Sequence, residues 1–332
     1  MRLLTRASAL THFSEIARLA GLNPEALVRD VGLPVMCLSE PELMVPADAV
    51  RDVLELAAAR SAWSNFGLRM AEGRRLSNLG PLGLLLRDEP TLRRALEVVV
   101  RYLHTYNQAL ALKIEDEPPL VLVRAEFMSS AQGAMQQGTE LTLGVMCRFF
   151  GLFMGTQWRP RRVCFTHAAP KDRSLHVQMF GPNVEFGHDF NGIVIDAPVL
   201  DVPNPSADPV MARYARQVMA ASEQLERPSP STEIRNIALM LLPTGSCKVD
   251  VIAQHLGVDR RTVHRHLARE GRTFSGLVNE LRRGLAQRYV EHGHQSMEQI
   301  AVMLGFAYPS SFSRWYRSEF KQSARMQRRE QM

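Results

Sequence analysis

Ile252-Ala253-Gln254-His255-Leu256-Gly257-Val258 recurs 48 positions later as Ile300-Ala301-Val302-Met303-Leu304-Gly305-Phe306. In each copy apolar residues at i, i+1 and i+4 make one helical face, and a glycine closes it. Glycine takes the left-handed conformation of a helix end without a Cβ penalty. A second helical pattern follows each glycine. In Asp259-Arg260-Arg261-Thr262-Val263-His264-Arg265-His266-Leu267, Val263 and Leu267 form the inward i, i+4 pair. Arg260, Arg261, His264 and Arg265 point elsewhere. In Pro309-Ser310-Ser311-Phe312-Ser313-Arg314-Trp315-Tyr316, Phe312 and Tyr316 are inward, Ser313 and Arg314 outward. Helix, tight turn, helix is the helix-turn-helix pattern, and it occurs here at about 248–269 and 296–320.

The flanking residues agree. Asp259 is placed to cap the helix that follows it. Ser296 and Gln299 have the spacing of a capping box. Pro309 suits a first helical position, where its missing N–H is not needed. Between the two units, Phe274 to Val290 carries Leu277, Val278, Leu281, Leu285 and Tyr289 at helical spacing. Such a helix spans roughly 25 Å. That length suits two recognition helices entering successive major-groove segments, roughly 34 Å apart on one face of a duplex.

This segment resembles the DNA-binding domain of AraC/XylS-family transcription regulators. The residues carrying the resemblance are Ile252-Ala253, Leu256-Gly257, Val263, Arg265, Leu267, Phe274, Leu281-Arg282, Ala286, Ile300-Ala301, Leu304-Gly305-Phe306, Ser310, Phe312-Ser313-Arg314 and Phe320. Matching the family pattern implies base or phosphate contacts from Arg261, His264 and Arg265 in the first unit, with Arg260 beside them expected to meet phosphates or water. In the second it implies Ser310, Ser313 and Arg314. The chain departs from the pattern at Lys321, Ser323-Ala324, Gln327 and Arg328, at Trp315 (usually Ala) and at Tyr308 (often a capping Asp). Altered packing or sequence preference in the second unit is expected, with DNA binding kept. Arg325, Arg328 and Arg329 are expected to meet phosphates or water.

Charge follows the same division. The chain has 332 residues and a net charge of +6. Residues 233–332 hold 16 Lys/Arg against 9 Asp/Glu, while 1–232 hold 24 against 25. A basic module on a neutral one is what phosphate neutralisation requires. Four cysteines (Cys37, Cys147, Cys164 and Cys247) without C-x-x-C spacing argue against a disulfide framework and a zinc site, and fit a reducing cytosol. No metal or cofactor is expected. The apolar run Leu141 to Met154 is broken by Arg148 and is too short to span a bilayer. The N-terminus shows no signal pattern. The reading is a soluble cytoplasmic bacterial protein.

Residues 1–75 read as short helices: one carrying Ala9, Phe13, Ile16 and Ala17, one from Pro24 to Val31, and one with Pro46 at its first position. Gly80-Pro81-Leu82-Gly83 reads as punctuation. Pro90-Thr91 leads into a helix burying Leu92, Ala95, Leu96, Val99 and Leu103. Strands are expected at Leu110–Ile114 and Leu120–Phe127, joined by the polar turn from Glu115 to Pro119. The alternation of Leu120, Leu122 and Arg124 suggests one covered face. Glu140–Met154 reads as a central helix, and Arg162–Thr166, Val184–Phe186 and Ile193–Ile195 as further strands.

This half resembles the arabinose-binding-type effector domain that precedes the DNA-binding domain in one branch of the same family. The residues are Gly67-Leu68-Arg69, Leu79-Gly80, Thr91-Leu92, Ala95-Leu96, Val163 to Pro170, Phe180-Gly181, Val184-x-Phe186 and Asn191. The fold expected is therefore an α+β effector domain (residues 1–205), a helix and linker (206–232), and an all-α DNA-binding domain (233–332) whose two helix-turn-helix units are joined by a linker helix. On the helix beginning near Ala207, Met211, Tyr214, Val218, Ala221 and Leu225 form a stripe. It reads either as a homodimer seam or as a face packed on its own domain. Arg227-Pro228-Ser229-Pro230-Ser231 reads as the linker.

For the effector, Arg148 inside an apolar helix calls for a partner. That partner is a ligand carboxylate or phosphate, or an internal ion pair with Glu140 or another carboxylate; otherwise the side chain faces solvent. Tyr102, His104 and Tyr106 line a pocket or belong to the core. His292-Gly-His294 has no nearby cysteine and carries no metal reading. There is no Gly-rich phosphate loop, H-E-x-x-H or G-x-S-x-G, so no enzyme is expected. The leading reading is a DNA-binding transcription regulator, by resemblance an activator with RNA polymerase as a candidate partner, controlled by a small-molecule effector. The alternatives are a ligand-independent architectural DNA-binding protein and a regulator controlled by a protein partner.

Overall fold

The computed structural model describes residues 3–127, 134–155, 157–225, 229–243, 245–292 and 295–330. The chain opens with a feature too short to read from periodicity: strand β1 (Leu4–Arg6). Helices α1 (Phe13–Leu19) and α2 (Pro24–Asp30) follow, and β2 (Met44–Pro46) then pairs antiparallel with β1. Pro46 ends that strand, and helix α3 (Ala47–Arg60) begins one residue later than expected. Helix α4 (Phe66–Glu72) comes next. Gly80-Pro81-Leu82-Gly83 is no break but the first turn of α5 (Gly80–Arg87), since proline is tolerated where no N–H is needed. Thr91 caps α6 (Leu92–Tyr106).

Strands β3 (Leu110–Glu117) and β4 (Leu120–Phe127) form a hairpin whose turn is only Pro118-Pro119. The expected polar turn from Glu115 is therefore strand. Glu115 is held there by Lys113 at 2.7 Å and Arg124 at 3.3 Å. Those partners outweigh its burial, so its pKa is lowered. Helix α7 (Gln136–Met154), β5 (Arg162–Phe165), α8 (Ser174–Phe180), β6 (Val184–Phe186) and β7 (Gly192–Asp196) complete a five-stranded sheet. Its order is β3-β4-β7-β5-β6, antiparallel except for the parallel pair β5–β6. Its core face carries Val121, Val123, Ala125, Val163, Phe165, Ile193 and Ile195 against α5, α6 and α7. The alternation through Leu120, Leu122 and Arg124 thus chose the opposite face. Both registers of β4 begin with apolar residues, so alternation alone does not separate them.

Gly67 sits where α4 crosses α7, and a Cβ there would lie 2.0 Å from the Gln137 carbonyl oxygen. Only glycine permits that approach. Helix α9 (Pro209–Leu225) buries Ala212, Ala215 and Met219. Met211, Tyr214 and Val218 of the expected stripe are 42, 60 and 53% exposed, so the buried face of α9 is the adjacent one. The side chains of Ala221 and Leu225, residues 226–228 and the Gly293-His294 pair lie outside the described residues.

Seven helices follow: α10 (Pro230–Leu241), α11 (Val249–His255), α12 (Arg260–Arg269), α13 (Phe274–His292), α14 (Met297–Met303), α15 (Pro309–Phe320) and α16 (Ala324–Glu330). Ser229 caps α10 by accepting from the Thr232 N–H, so half of the expected linker is already a helix start. An N-terminal domain of helices and sheets is thus followed by a helical C-terminal region. The two are not separate bodies on a string. Leu3, Ala109 and Ala111 share one apolar cluster with Ile234, Ala238, Leu281 and Tyr289, placing α10 and α13 on the face of the sheet opposite α7.

Candidate nucleic-acid interface

The repeated heptapeptide folds into one turn made twice. After α11, the Gly257 N–H donates to Gln254 O and the Val258 N–H to Ala253 O. After α14, Gly305 donates to Val302 O and Phe306 to Ala301 O. This is the paired closure that satisfies carbonyls at a helix end, with glycine at φ 63° and 68°. The environments differ. Gly257 has open space around it, whereas a Cβ on Gly305 would lie 2.3 Å from the Leu242 carbonyl oxygen. The second turn is also latched. Arg282 from α13 donates to Leu304 O (3.0 Å) and Gly305 O (3.2 Å) and lies over the Phe306 ring.

Helix α12 starts where the Asp259 carboxylate accepts from the Thr262 N–H at 2.7 Å. That bond holds the carboxyl below the usual range. Val263 and Leu267 are fully buried, while Arg260, Arg261, His264 and Arg265 are exposed together on the outer face. The Arg265 guanidinium donates to the Thr262 hydroxyl at 3.2 Å, which aligns it along the first turn. Helix α15 starts at Tyr308, whose side chain makes no cap and is largely exposed. Phe312 and Tyr316 are buried; Ser310, Ser313 and Arg314 are exposed. Trp315 is accommodated by Phe306, Phe312 and Phe320. Its indole N–H donates to Asn279 of α13 at 2.6 Å. The departures at Trp315 and Tyr308 therefore alter packing and capping while leaving the outer face polar.

One tail residue moves from the surface inward. Arg328 of α16 donates to the carbonyls of Tyr289 (3.1 Å), Val290 (3.2 Å) and Gln295 (2.7 Å). It caps the end of α13, where carbonyls lack helical donors, so its guanidinium is turned to the protein's own carbonyls and not to the outer face. Arg325 and Arg329 stay exposed.

Where α13 meets the sheet, Arg288 donates to Phe127 O (3.0 Å) and faces the Glu126 carboxylate at 3.9 Å. The Tyr289 hydroxyl lies 3.5 Å from that carboxylate. Burial drives the pKa of Glu126 up against the pull of the arginines. Gln295, buried just before the Ser296 cap of α14, donates to Thr166 O (2.7 Å) and His188 O (3.1 Å). Sequence reading named Arg282 without a role, and missed Arg288, Gln295 and the inward turn of Arg328. Each bonds to a main-chain carbonyl, which no side-chain pattern announces.

Of the effector candidates, Arg148 lines a cavity of about 470 Å³ with Leu79, Phe149, Leu152 and Phe153, beside Arg74, Arg75 and Arg87. It donates to Arg74 O at 3.3 Å. It does not pair with Glu140, which instead faces His176 at 3.1 Å. Arg74 is anchored to Ser8 O at 2.6 Å and to Ala9 O, and burial pulls its pKa down to about 10. Tyr102 and Tyr106 are core side chains, the latter accepting from the Leu82 N–H at 3.3 Å. Neither they nor His104 line that cavity.

Comparison with known proteins matches this architecture. The family profile described as the arabinose-binding domain of AraC transcription regulator, N-terminal, covers residues 21–204. A helix-turn-helix domain profile covers 252–330. The chain belongs to the AraC/XylS family of transcription regulators. Among curated members it is 30% identical to the HTH-type transcriptional regulator VirS of Mycobacterium tuberculosis over 327 residues, covering 98% of this chain and 96% of VirS. It is 23% identical to the ornithine utilization regulator of Pseudomonas aeruginosa over 257 residues, covering 76% and 74% of the two chains. The crystal structure of the P. aeruginosa regulator CdpR aligns with a TM-score of 0.45 at 18% identity, covering 92% of this chain and 97% of that one. Among the described residues no helix is long and apolar enough to cross a membrane.

Proposed function

We propose that this AraC-family regulator reads an operator through two helix-turn-helix units, with α12 and α15 as recognition helices. The observation that carries this is the pair of identically closed turns, each followed by a helix whose inner face is buried and whose outer face is polar. Arg260, Arg261, His264 and Arg265 offer the first major-groove segment donors for guanine edges and phosphates. Ser310, Ser313 and Arg314 offer the second a thinner set. Helix α13, at 19 residues and roughly 1.5 Å per residue, spaces them for one helical turn of DNA. Family membership favours activation, with RNA polymerase as a partner. The exposed Met211, Tyr214 and Val218 of α9 support a homodimer.

The test is selection of bound sequences from a random duplex pool by the full-length protein at near-physiological salt. Two contacted segments about one turn apart are expected. Binding with a steep salt dependence and no enriched sequence would point instead to an architectural protein.

Control by a small molecule is the second half of the reading, and the cavity at Arg148 supports it. Aromatic and aliphatic walls beside guanidinium groups suit an organic anion with an apolar body. A panel of apolar carboxylates should raise the melting temperature of the wild type and not of Arg148→Ala. A shift of equal size in both proteins excludes this cavity as the effector site.

A further inference from the structure

Among the described residues one group brings three metal-ligating side chains together, and the sheet register is the reason. The parallel pairing of β5 with β6 sets Cys164 opposite Glu185, so both side chains leave the same face of the sheet. That face is the one turned away from α7: Cys164 clusters there with Leu122, Phe190 and Val194. Beyond β6 the chain reverses at Gly187, at φ 68°. The reversal is pinned by Gly187 N–H to His167 O and His188 N–H to Phe165 O, both at 2.9 Å. It returns His188 over Cys164 and Glu185. The Cys164 Sγ, a Glu185 carboxylate oxygen and a His188 ring nitrogen then all lie within 4.8 Å of one another.

We infer that Cys164, Glu185 and His188 form a binding site for a divalent transition metal with affinity for sulfur and nitrogen, zinc foremost. One thiolate, one imidazole and one carboxylate are a zinc donor set. Around a zinc ion with bonds of roughly 2.0–2.3 Å, ligand atoms sit about 3.3–3.8 Å apart. Small rotations of the Glu185 and His188 side chains close the remaining gap. The orientation of His188 fits the role. Its Nε2 faces Glu185 at 3.6 Å, and its Nδ1 lies 2.5 Å from an Asp189 carboxylate oxygen without hydrogen-bond geometry. The ring is braced edge-on against Phe190, 4.4 Å between centroids. Glu185, 45% exposed, opens the site to solvent and accepts from Arg162 at 3.2 Å. Water takes the fourth position. Binding displaces the Cys164 thiol proton to solvent. The scattered spacing of the cysteines hid this site, because its ligands come together through strand pairing and not through a local motif.

The site also touches the C-terminal region. The main-chain carbonyl of His188 accepts from Gln295, the residue before the α14 cap. An ion held by the His188 side chain therefore fixes a loop to which the second helix pair is tied.

Cobalt(II) titration of the full-length reduced protein tests the assignment. One equivalent per chain should give a thiolate-to-cobalt charge-transfer band together with visible bands of four-coordinate cobalt, both bleached by zinc. Cys164→Ser should lose the charge-transfer band and Cys247→Ser should keep it. Because Cys164 is buried, Glu185→Gln and His188→Ala serve as variants less able to disturb folding. Each should weaken apparent affinity by about 10-fold or more. No thiolate band in the wild type, or a band surviving both Cys164→Ser and His188→Ala, overturns the proposal.

Discussion

The first and second helix pairs share a turn and differ in what surrounds it. Around Gly257 there is open space, an aspartate cap and an outer face of arginine and histidine. Around Gly305 there is the Leu242 carbonyl, the Arg282 latch, an aromatic cluster and an outer face of serines with one arginine. The first pair puts its chemistry into the outer face, and the second into its supports. Both are compatible with a DNA reader, since contacts that position a protein on a duplex need not be those that specify sequence.

The sharpest way to break that contrast is to put the same substitution into both turns. Gly305→Ala meets a backbone oxygen as well as left-handed strain, and should destabilise the protein by about 3–5 kcal/mol. Gly257→Ala meets strain alone, about 1–2 kcal/mol. Urea denaturation measures both, and equal losses would mean that the crowding at Leu242 relaxes freely. Arg328 comes next. Its replacement by alanine removes three charge-assisted bonds to carbonyls and should cost about 2–3 kcal/mol. Arg329→Ala should stay within about 0.5 kcal/mol. If the two variants melt together, α16 does not brace α13.

A third comparison concerns specificity. Arg265→Ala should lose about 1–3 kcal/mol of discrimination at one base of the first half-site. Ser313→Ala should lose under about 1 kcal/mol at the second, and Arg328→Ala should leave base preference unchanged. Binding to single-base operator variants reads this out. A larger loss from Ser313 would reverse the assignment of the stronger reader.

A pH-dependent effect calibrates the rest from the N-terminal side. Glu55 accepts from the Gln137 N–H at 2.8 Å, yet burial lifts its pKa to about 7. A carboxyl whose folded pKa lies above its unfolded value stabilises the fold at low pH. That contribution is lost as pH rises from about 4.5 towards 7. Glu55→Gln should therefore be about 1–2 kcal/mol more stable than wild type at pH 8 and nearly equal at pH 4.5. It should leave the difference between the two half-sites untouched. A variant less stable at pH 8 would show that the carboxylate is needed there.

The helix pairs were legible because each carries its own instructions: a 3.6-residue period, a glycine stop and a capping residue. The core helices were legible for the same reason, and the main strands from apolar runs bounded by turn residues. Where the sequence reading went astray, the deciding partner was distant in the chain. Strands β1 and β2 are three residues each and exist only as a pair. The face of β4 was decided by α7, not by its own alternation. Helix α9 carries two adjacent stripes, and the packed one holds the smaller residues Ala212 and Ala215. Of the candidate interface, the exposed faces of α12 and α15 were legible from helical period, while their assignment to DNA contact came from the family resemblance. The latch at Arg282, the tie at Gln295 and the cysteine-centred cluster were not, because each depends on tertiary register.

Two small residues at the sheet edge, Ala109 just before β3 and Ala111 within it, lie in the same apolar cluster as the C-terminal helices α10 and α13. The two halves are therefore less interchangeable than their separate family profiles imply. A chimaera that grafts residues 229–332 onto a foreign sensor would leave part of its own core facing water unless the new partner offers an equally flat, small-residue sheet edge. The heritable unit here is a matched pair, and substitutions at Ala109 or Ala111 should be tolerated only with compensating changes on α10.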